Sequence, residues 1–383
     1  MQKYLTVISS FFIMLCLGSV YAWSIVSSEL MDNFGFSSIQ SQFVFGLLIA
    51  VFPVTMIFAG KYEKKIGVQK LTTLSALFFS SGYIISGLSN GNFYVILFGI
   101  GILAGIGTGL GYLVALTTPV KWFPQKKGLV TGIAAGGFGF AAFIFSIILE
   151  KALLNGKNIL ELFLIVGVVY GLIILLFSFF MKNPDSLKLD DVPKKSFKVD
   201  STFIKLFAGI FFGTFAGLIV IGNLKLIGSE HGILNHTLVV GVSVFAIANF
   251  VGRLVWGNLS DYLGASICIF FALLIQSIAI FYLGFLDLNS LSYLVLSALI
   301  GFGFGGNFVL FAKKTSQTYS VERLGLVYPY VFLGYAIAGI IGPISGGIFY
   351  NYFNNYDIAS NLASFMSLIG AIIFFKTNKK IIN

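Results

Sequence analysis

The chain has 383 residues, of which 57% are hydrophobic and only 10% charged. A soluble domain carries about 25% charged residues, so the composition excludes a soluble globular protein and points to a membrane. The net charge of +10 does not indicate nucleic acid, because the lysines lie between long apolar runs and form no stripe.

A bilayer core about 30 Å thick takes roughly 20 apolar residues in helical form. The first such run, 5–29, lies in "MQKYLTVISSFFIMLCLGSVYAWSIVSSEL". It is longer than the roughly 7–15 apolar residues of a signal peptide, so it is read as a retained span. Further runs lie at 42–61, 70–89, 93–117, 128–150 and 159–181. The segment 182–202, "KNPDSLKLDDVPKKSFKVDST", is polar and charged and holds two prolines. Six more runs follow at 203–225, 237–257, 265–284, 291–312, 325–349 and 357–376. The predicted fold is an all-α polytopic membrane protein with twelve transmembrane helices. Residues 1–181 form an N-terminal six-helix half, 182–202 a linker, and 203–383 a C-terminal six-helix half.

Basic residues predict the orientation. With a cytoplasmic N-terminus, 20 of them fall on the cytoplasmic side and three, Lys151, Lys157 and Lys225, on the other. The positive-inside rule then puts both termini and the 182–202 linker in the cytoplasm of a cell whose plasma membrane holds the chain.

The halves repeat one another. "GKYEKKIG" at 60–67 and "GNLSDYLG" at 257–264 begin 197 residues apart. "GIGTGLGY" at 105–112 and "GFGFGGNF" at 301–308 are offset by 196, and "GLV" recurs at 128 and 325. A duplicated six-span unit is the architecture of a two-lobed secondary transporter with a midplane substrate site between the lobes. Glycines spaced by four (Gly101, Gly105, Gly109; Gly128, Gly132, Gly136; Gly342, Gly346) predict smooth helix faces for close packing. They are no nucleotide fingerprint, which needs a preceding strand.

Cys16 and Cys268 lie in apolar runs and read as core filler. His231 and His236 share one polar loop, with neither cysteine nor an acidic cluster nearby to make a metal site. No cofactor, metal or nucleic-acid partner is implied, and no nucleophile or paired acids converge as an enzyme requires. A single copy is expected to act as a monomer.

One residue stands apart. The chain has 22 lysines and only two arginines, and Arg253 lies in the apolar run "AIANFVGRLVWGNLSDYLG". A charge at a helix centre costs roughly 2.5–3.5 kcal/mol on insertion scales. Arg253 precedes Asp261 by eight residues, about 12 Å of helix, a depth that suits a central cavity. Its planar fork matches a carboxylate, which an ammonium does not. Two readings stand: a substrate anchor, or a structural arginine that snorkels or binds helix carbonyls.

The paired "GKYEKKIG" and "GNLSDYLG" resemble the loop signature of the major facilitator superfamily. The second copy keeps Gly257, Asp261 and Gly264 but has Tyr262 where a basic residue is usual. The first keeps Gly60 and Gly67, with Lys64 at the acid position, Glu63 beside it and Lys65 following. Within that superfamily the chain is similar to the oxalate/formate antiporters and their monocarboxylate-transporter relatives. The stretches that carry this are "GSVYAWSI", "KWFPQKKGLVTGIAAGGFG" and "GRLVWGNLSDYLG", and the similarity extends over the full length. It implies a charge latch at the two loop signatures and an anion-binding role for Arg253. The oxalate carriers use a second cation in span eleven, and the matching position here is Tyr335. One cation suits one carboxylate, so a small monocarboxylate is the expected substrate. Lys225 would supply a second charge, if it does not merely snorkel at the interface. Tyr21, Trp23 and Tyr112 line the cavity if this chain follows the family.

All fourteen acids lie in loops or near span ends. The expectation is therefore exchange or facilitated flux of an organic anion without a protein-borne proton carrier. The open alternatives are a proton-coupled monocarboxylate symporter and an exporter of hydrophobic compounds. A membrane enzyme and a non-transporting sensor stand further back.

Overall fold

The computed structural model describes residues 1–184, 199–353 and 355–375. Among them there is no strand. The helices are α1 (Gln2–Leu17), α2 (Trp23–Phe34), α3 (Ser38–Ile66), α4 (Val68–Gly87), the single turn α5 (Phe93–Ile96), α6 (Gly105–Trp122), α7 (Lys127–Leu154) and α8 (Ile159–Ser178). Then come α9 (Ser201–Glu230), α10 (Asn235–Leu263), α11 (Ala265–Leu283), α12 (Ser290–Tyr319), α13 (Leu324–Phe353) and α14 (Asp357–Phe375). A π-helical stretch, Leu97–Ala104, joins α5 to α6, so Phe93–Trp122 is one continuous run of 30 residues.

Among the described residues, eleven helical runs are long and apolar enough to cross a membrane. The expected third span corresponds to α4, which has the length but carries Thr72, Ser75 and Ser86 in buried positions. Each hydroxyl is satisfied by a backbone carbonyl: Thr72 donates to Val68, Ser75 to Gly107 at 2.6 Å, and Ser86 to Gly82. Such bonding lets a polar-looking helix be buried in an apolar setting.

The first expected span is broken rather than continuous. After Leu17 the chain tightens into a 3-10 turn over Gly18–Ala22 before α2 begins. Gly18 lies so close to α7 that a Cβ there would fall 2.3 Å from the Phe138 carbonyl oxygen. Ser19 donates its hydroxyl to the Cys16 carbonyl at 2.9 Å, which stabilises the tighter winding. Helix ends also reach further than hydropathy indicates. Spans expected to stop at 117 and 312 continue as helix to Trp122 and Tyr319, so Lys121, Lys313 and Lys314 are helical rather than loop residues. Most of the expected linker, residues 185–198, lies outside the described residues, as do Lys376, Lys379 and Lys380.

The chain forms two compact units. Within the described residues, the first holds 1–125, 133–184 and 319–330, and the second holds 126–132, 199–318 and 331–375. In the first unit α4 packs on α8, and in the second α11 packs on α14. The glycine contacts follow the repeat closely. A Cβ at Gly109 of α6 would fall 2.4 Å from the Phe52 carbonyl oxygen of α3. A Cβ at Gly305 of α12 would fall 2.4 Å from that of Asn249 of α10. Phe52 and Asn249 are 197 residues apart, and the two glycines 196. Small residues at these positions let the helix backbones touch, and the same touching point occurs in both units.

Candidate functional site

Arg253 is 0% exposed, inside α10 of the second unit. Its Nε donates to Oδ1 of Asn249, one turn earlier on the same helix, at 3.0 Å. The guanidinium carbon lies 4.3 Å from the ring centroid of Phe308 on α12, a cation–π distance. Phe308 meets Tyr335 of α13 edge-on at 5.4 Å, and Phe332 lies 4.9 Å from Tyr335. The site is therefore one cation held by an amide and lined by aromatic rings. Gly305, one turn before Phe308, permits the α10–α12 approach that places the ring there.

The first unit has the same frame with different chemistry. Tyr112 of α6 lies 4.8 Å from Phe52 and 5.3 Å from Phe138, and Tyr21 meets Phe138 edge-on at 5.1 Å. By the repeat offsets Tyr112 corresponds to Phe308, Phe138 to Tyr335, Phe52 to Asn249 and Met56 to Arg253. Of the residues the sequence singled out, Tyr21 and Tyr112 thus share one aromatic cluster, and Arg253 and Tyr335 both flank Phe308.

Trp23 and Lys225 stand elsewhere. Trp23 is buried; its Nε1 donates to the Ser41 carbonyl at 3.2 Å and its ring stacks beside Phe45. That geometry ties α2 to α3. Lys225 is exposed, near the end of α9. No group of three His, Cys, Asp or Glu residues is placed to hold a metal among the described residues.

The loop signatures form two buried ionic clusters. Asp261, at the end of α10, accepts from the backbone N–H of Gly128 at 3.0 Å and of Leu129 at 2.9 Å, capping the start of α7. It also pairs with Lys313 of α12. A carboxylate at a helix N-terminus meets both unpaired N–H groups and the positive end of the helix dipole. In the first unit Glu63 pairs with Lys121 of α6, whose Nζ also donates to Asn183 at 3.2 Å. The second carboxylate oxygen of Glu63 lies beside Gly325 at the start of α13. Glu63 thus takes the place expected of the residue at 64, and Lys64 and Lys65 are exposed.

The opening glycines are contact points. A Cβ at Gly60 would fall 1.9 Å from the Gly325 carbonyl oxygen, and one at Gly257 2.5 Å from that of Gly128. The closing glycines turn the chain: Gly67 has φ 87° and Gly264 φ 86°, a region that disfavours any side chain.

Sequence reasoning missed Lys121, Lys313 and Asn249. Hydropathy ends a span at the first charge and so puts both lysines in loops, whereas they are helical. Asn249 carries no charge to draw notice, although its i, i+4 spacing to Arg253 is a signal for side-chain contact on a helix.

A family profile described as Major Facilitator Superfamily matches residues 6–232 and 206–381. An uncharacterized MFS-type transporter, YhjX of Escherichia coli (strain K12), is 30% identical over 350 residues, covering 88% of this chain and 86% of that one. The oxalate:formate antiporter of Oxalobacter formigenes is 25% identical over 335 residues, covering 85% of this chain and 79% of its own. Among solved structures, the major facilitator transporter FucP in its outward conformation superposes with a TM-score of 0.68 at 15% identity, over 95% of this chain and 97% of that one.

Proposed function

Because the chain belongs to the major facilitator superfamily, we propose that it is a secondary carrier for a small monocarboxylate, moved by alternating access through exchange or facilitated flux. The observation that carries this is the buried guanidinium of Arg253, held in a membrane helix against Phe308. A buried charge in a membrane segment is costly and marks a substrate or ion pathway by default. Arginine supplies a fork for a carboxylate, and the relative named for oxalate and formate handles anions of that class. Tyr335 on the neighbouring helix brings a hydroxyl and an aromatic face rather than a second cation, which favours one carboxylate over two.

The ionic clusters at Glu63 and Asp261 serve the conformational cycle in this reading. Each pairs a carboxylate with a buried lysine, and Asp261 also caps α7, so in this reading each is a contact that transport breaks and remakes. The plasma membrane is the proposed location.

The test is counterflow in proteoliposomes loaded with unlabelled formate, acetate, lactate, pyruvate or oxalate, for the wild type and Arg253→Lys. Exchange of a monocarboxylate that the lysine variant loses supports the reading. Normal exchange by Arg253→Lys makes the arginine structural and removes the main support for an anion carrier.

A further inference from the structure

Helix α3 carries an exposed apolar stripe, Phe43, Val54 and Phe58, all within an arc of about 60° at roughly 100° per residue. On a membrane-crossing helix such a stripe faces lipid. It runs straight into Lys61 and Lys65, which fall in the same arc and are exposed. They sit about 5 and 10 Å beyond Phe58 along the helix, the step from hydrocarbon to headgroups. Exposed Tyr62 lies between them, a residue type of the membrane interface. Glu63 falls on the opposite side of α3 and turns inward to Lys121. Gly67 turns the chain, and Lys70 follows, exposed in the first turn of α4 in line with exposed Leu77 seven residues on. Among the described residues no acid pairs with Lys61, Lys65 or Lys70. We propose that this corner of the first unit binds an anionic phospholipid, whose headgroup phosphate is held by Lys61, Lys65 and Lys70.

The scaffold does not call for these charges. At the repeat offset of 197, Val54, Phe58, Lys61 and Lys65 correspond to Val251, Val255, Asn258 and Tyr262 of α10. Val251 and Val255 are exposed, so the second unit has the same lipid-facing stripe, and it ends in exposed Asn258 and Tyr262. Lys70 corresponds to Ile267. The same helix end therefore forms with no cation at all. Loop lysines anywhere on that side would satisfy the positive-inside rule; three placed along the lipid-facing edge meet headgroups directly. An ammonium on a flexible stem suits a phosphate as a point charge. The chain is thus anchored by charge in one unit and by an aromatic ring in the other. This surface is separate from the Arg253 site and holds whatever the carrier transports.

The test uses the full-length protein in phosphatidylcholine vesicles with a minor fraction of brominated phosphatidylglycerol or brominated phosphatidylcholine, which quench nearby tryptophan. Tyr62→Trp reports on the lysine corner, and Tyr262→Trp on the matched uncharged one. At residue 62 the phosphatidylglycerol should quench more strongly; at residue 262 the two lipids should quench alike. A lysine near anionic lipid contributes about a fivefold preference, so Lys65→Gln should lower the preference at residue 62 about fivefold. Changing Lys61, Lys65 and Lys70 together to Gln should abolish it, while circular dichroism shows unchanged helix content. Equal quenching by the two lipids at residue 62, or a preference that survives the triple change, overturns the proposal. So does an equal preference at residue 262, which would make it a property of the whole membrane surface. Loss of the preference in inorganic phosphate, but not in chloride of the same ionic strength, would identify a site for free anions and overturn it as well.

Discussion

Replacing Asp261 by Ala separates two contributions that the structure joins in one carboxylate. The carboxylate caps α7 through Gly128 and Leu129 and neutralises Lys313, whose side chain is 3% exposed. Losing a helix cap costs about 0.5–2 kcal/mol. Stranding a buried lysine costs about 3–5 kcal/mol, so the ion pair outweighs the caps. The shared carboxylate makes the two costs overlap rather than add. For a unit of roughly this size each kcal/mol moves the unfolding midpoint by about 2–4 °C, so Asp261→Ala should lower it by about 6–20 °C. The double variant Asp261→Asn with Lys313→Met removes both charges but keeps a capping acceptor, so it should lose no more than about 1 kcal/mol, because neutral packing replaces a buried pair with little loss. Heat unfolding in detergent micelles, followed by circular dichroism, measures all three proteins. The reasoning is refuted if Asp261→Ala unfolds with the wild type, or if the double variant falls as far as the single one.

Three other predictions follow from separate contacts. Gly305→Val puts side-chain atoms where even a Cβ would fall 2.4 Å from the Asn249 carbonyl oxygen; α12 must withdraw from α10, and carboxylate exchange should fall at least about tenfold, the scale of a misplaced binding group. Trp23→Phe removes the hydrogen bond to Ser41, a loss of about 1 kcal/mol in stability, while the KM for the exchanged carboxylate stays unchanged; a raised KM would make Trp23 part of the site. Tyr335→Lys places a second cation on the ring cluster beside Arg253, and competition assays should show oxalate gaining on acetate as an inhibitor.

The fold was largely readable in advance because lipid leaves few choices: a backbone without water must satisfy itself, and apolar runs of about 20 residues become helices. What hydropathy missed has a common cause. Ser75 and Ser86 lower the score of α4 yet are satisfied by carbonyls, and Lys121 and Lys313 end an apolar run yet stay helical because an acid neutralises each. Apart from the Ser86 bond, which closes within one turn, those partners are distant in sequence, so no local pattern reveals them. The break at Gly18 is hidden for the same reason, since its cause is the backbone of Phe138. Arg253 was legible because a lone charge in an apolar run has no ordinary explanation. Asn249 was not, because its meaning depends on where one N–H points.

The matched helix contacts at Phe52 and Asn249 carry a consequence for how such a chain tolerates change. Each copy is a control experiment for the other, made with a different side chain on the same scaffold. Where the copies differ without altering the crossing, the position is open to redesign. Where both demand glycine, as at Gly109 and Gly305, it is not. New selectivities should therefore arise at 52, 56, 249 and 253 and their aromatic neighbours, with the glycine contacts left untouched. Laboratory evolution confined to those positions would explore cargo without first having to rescue folding.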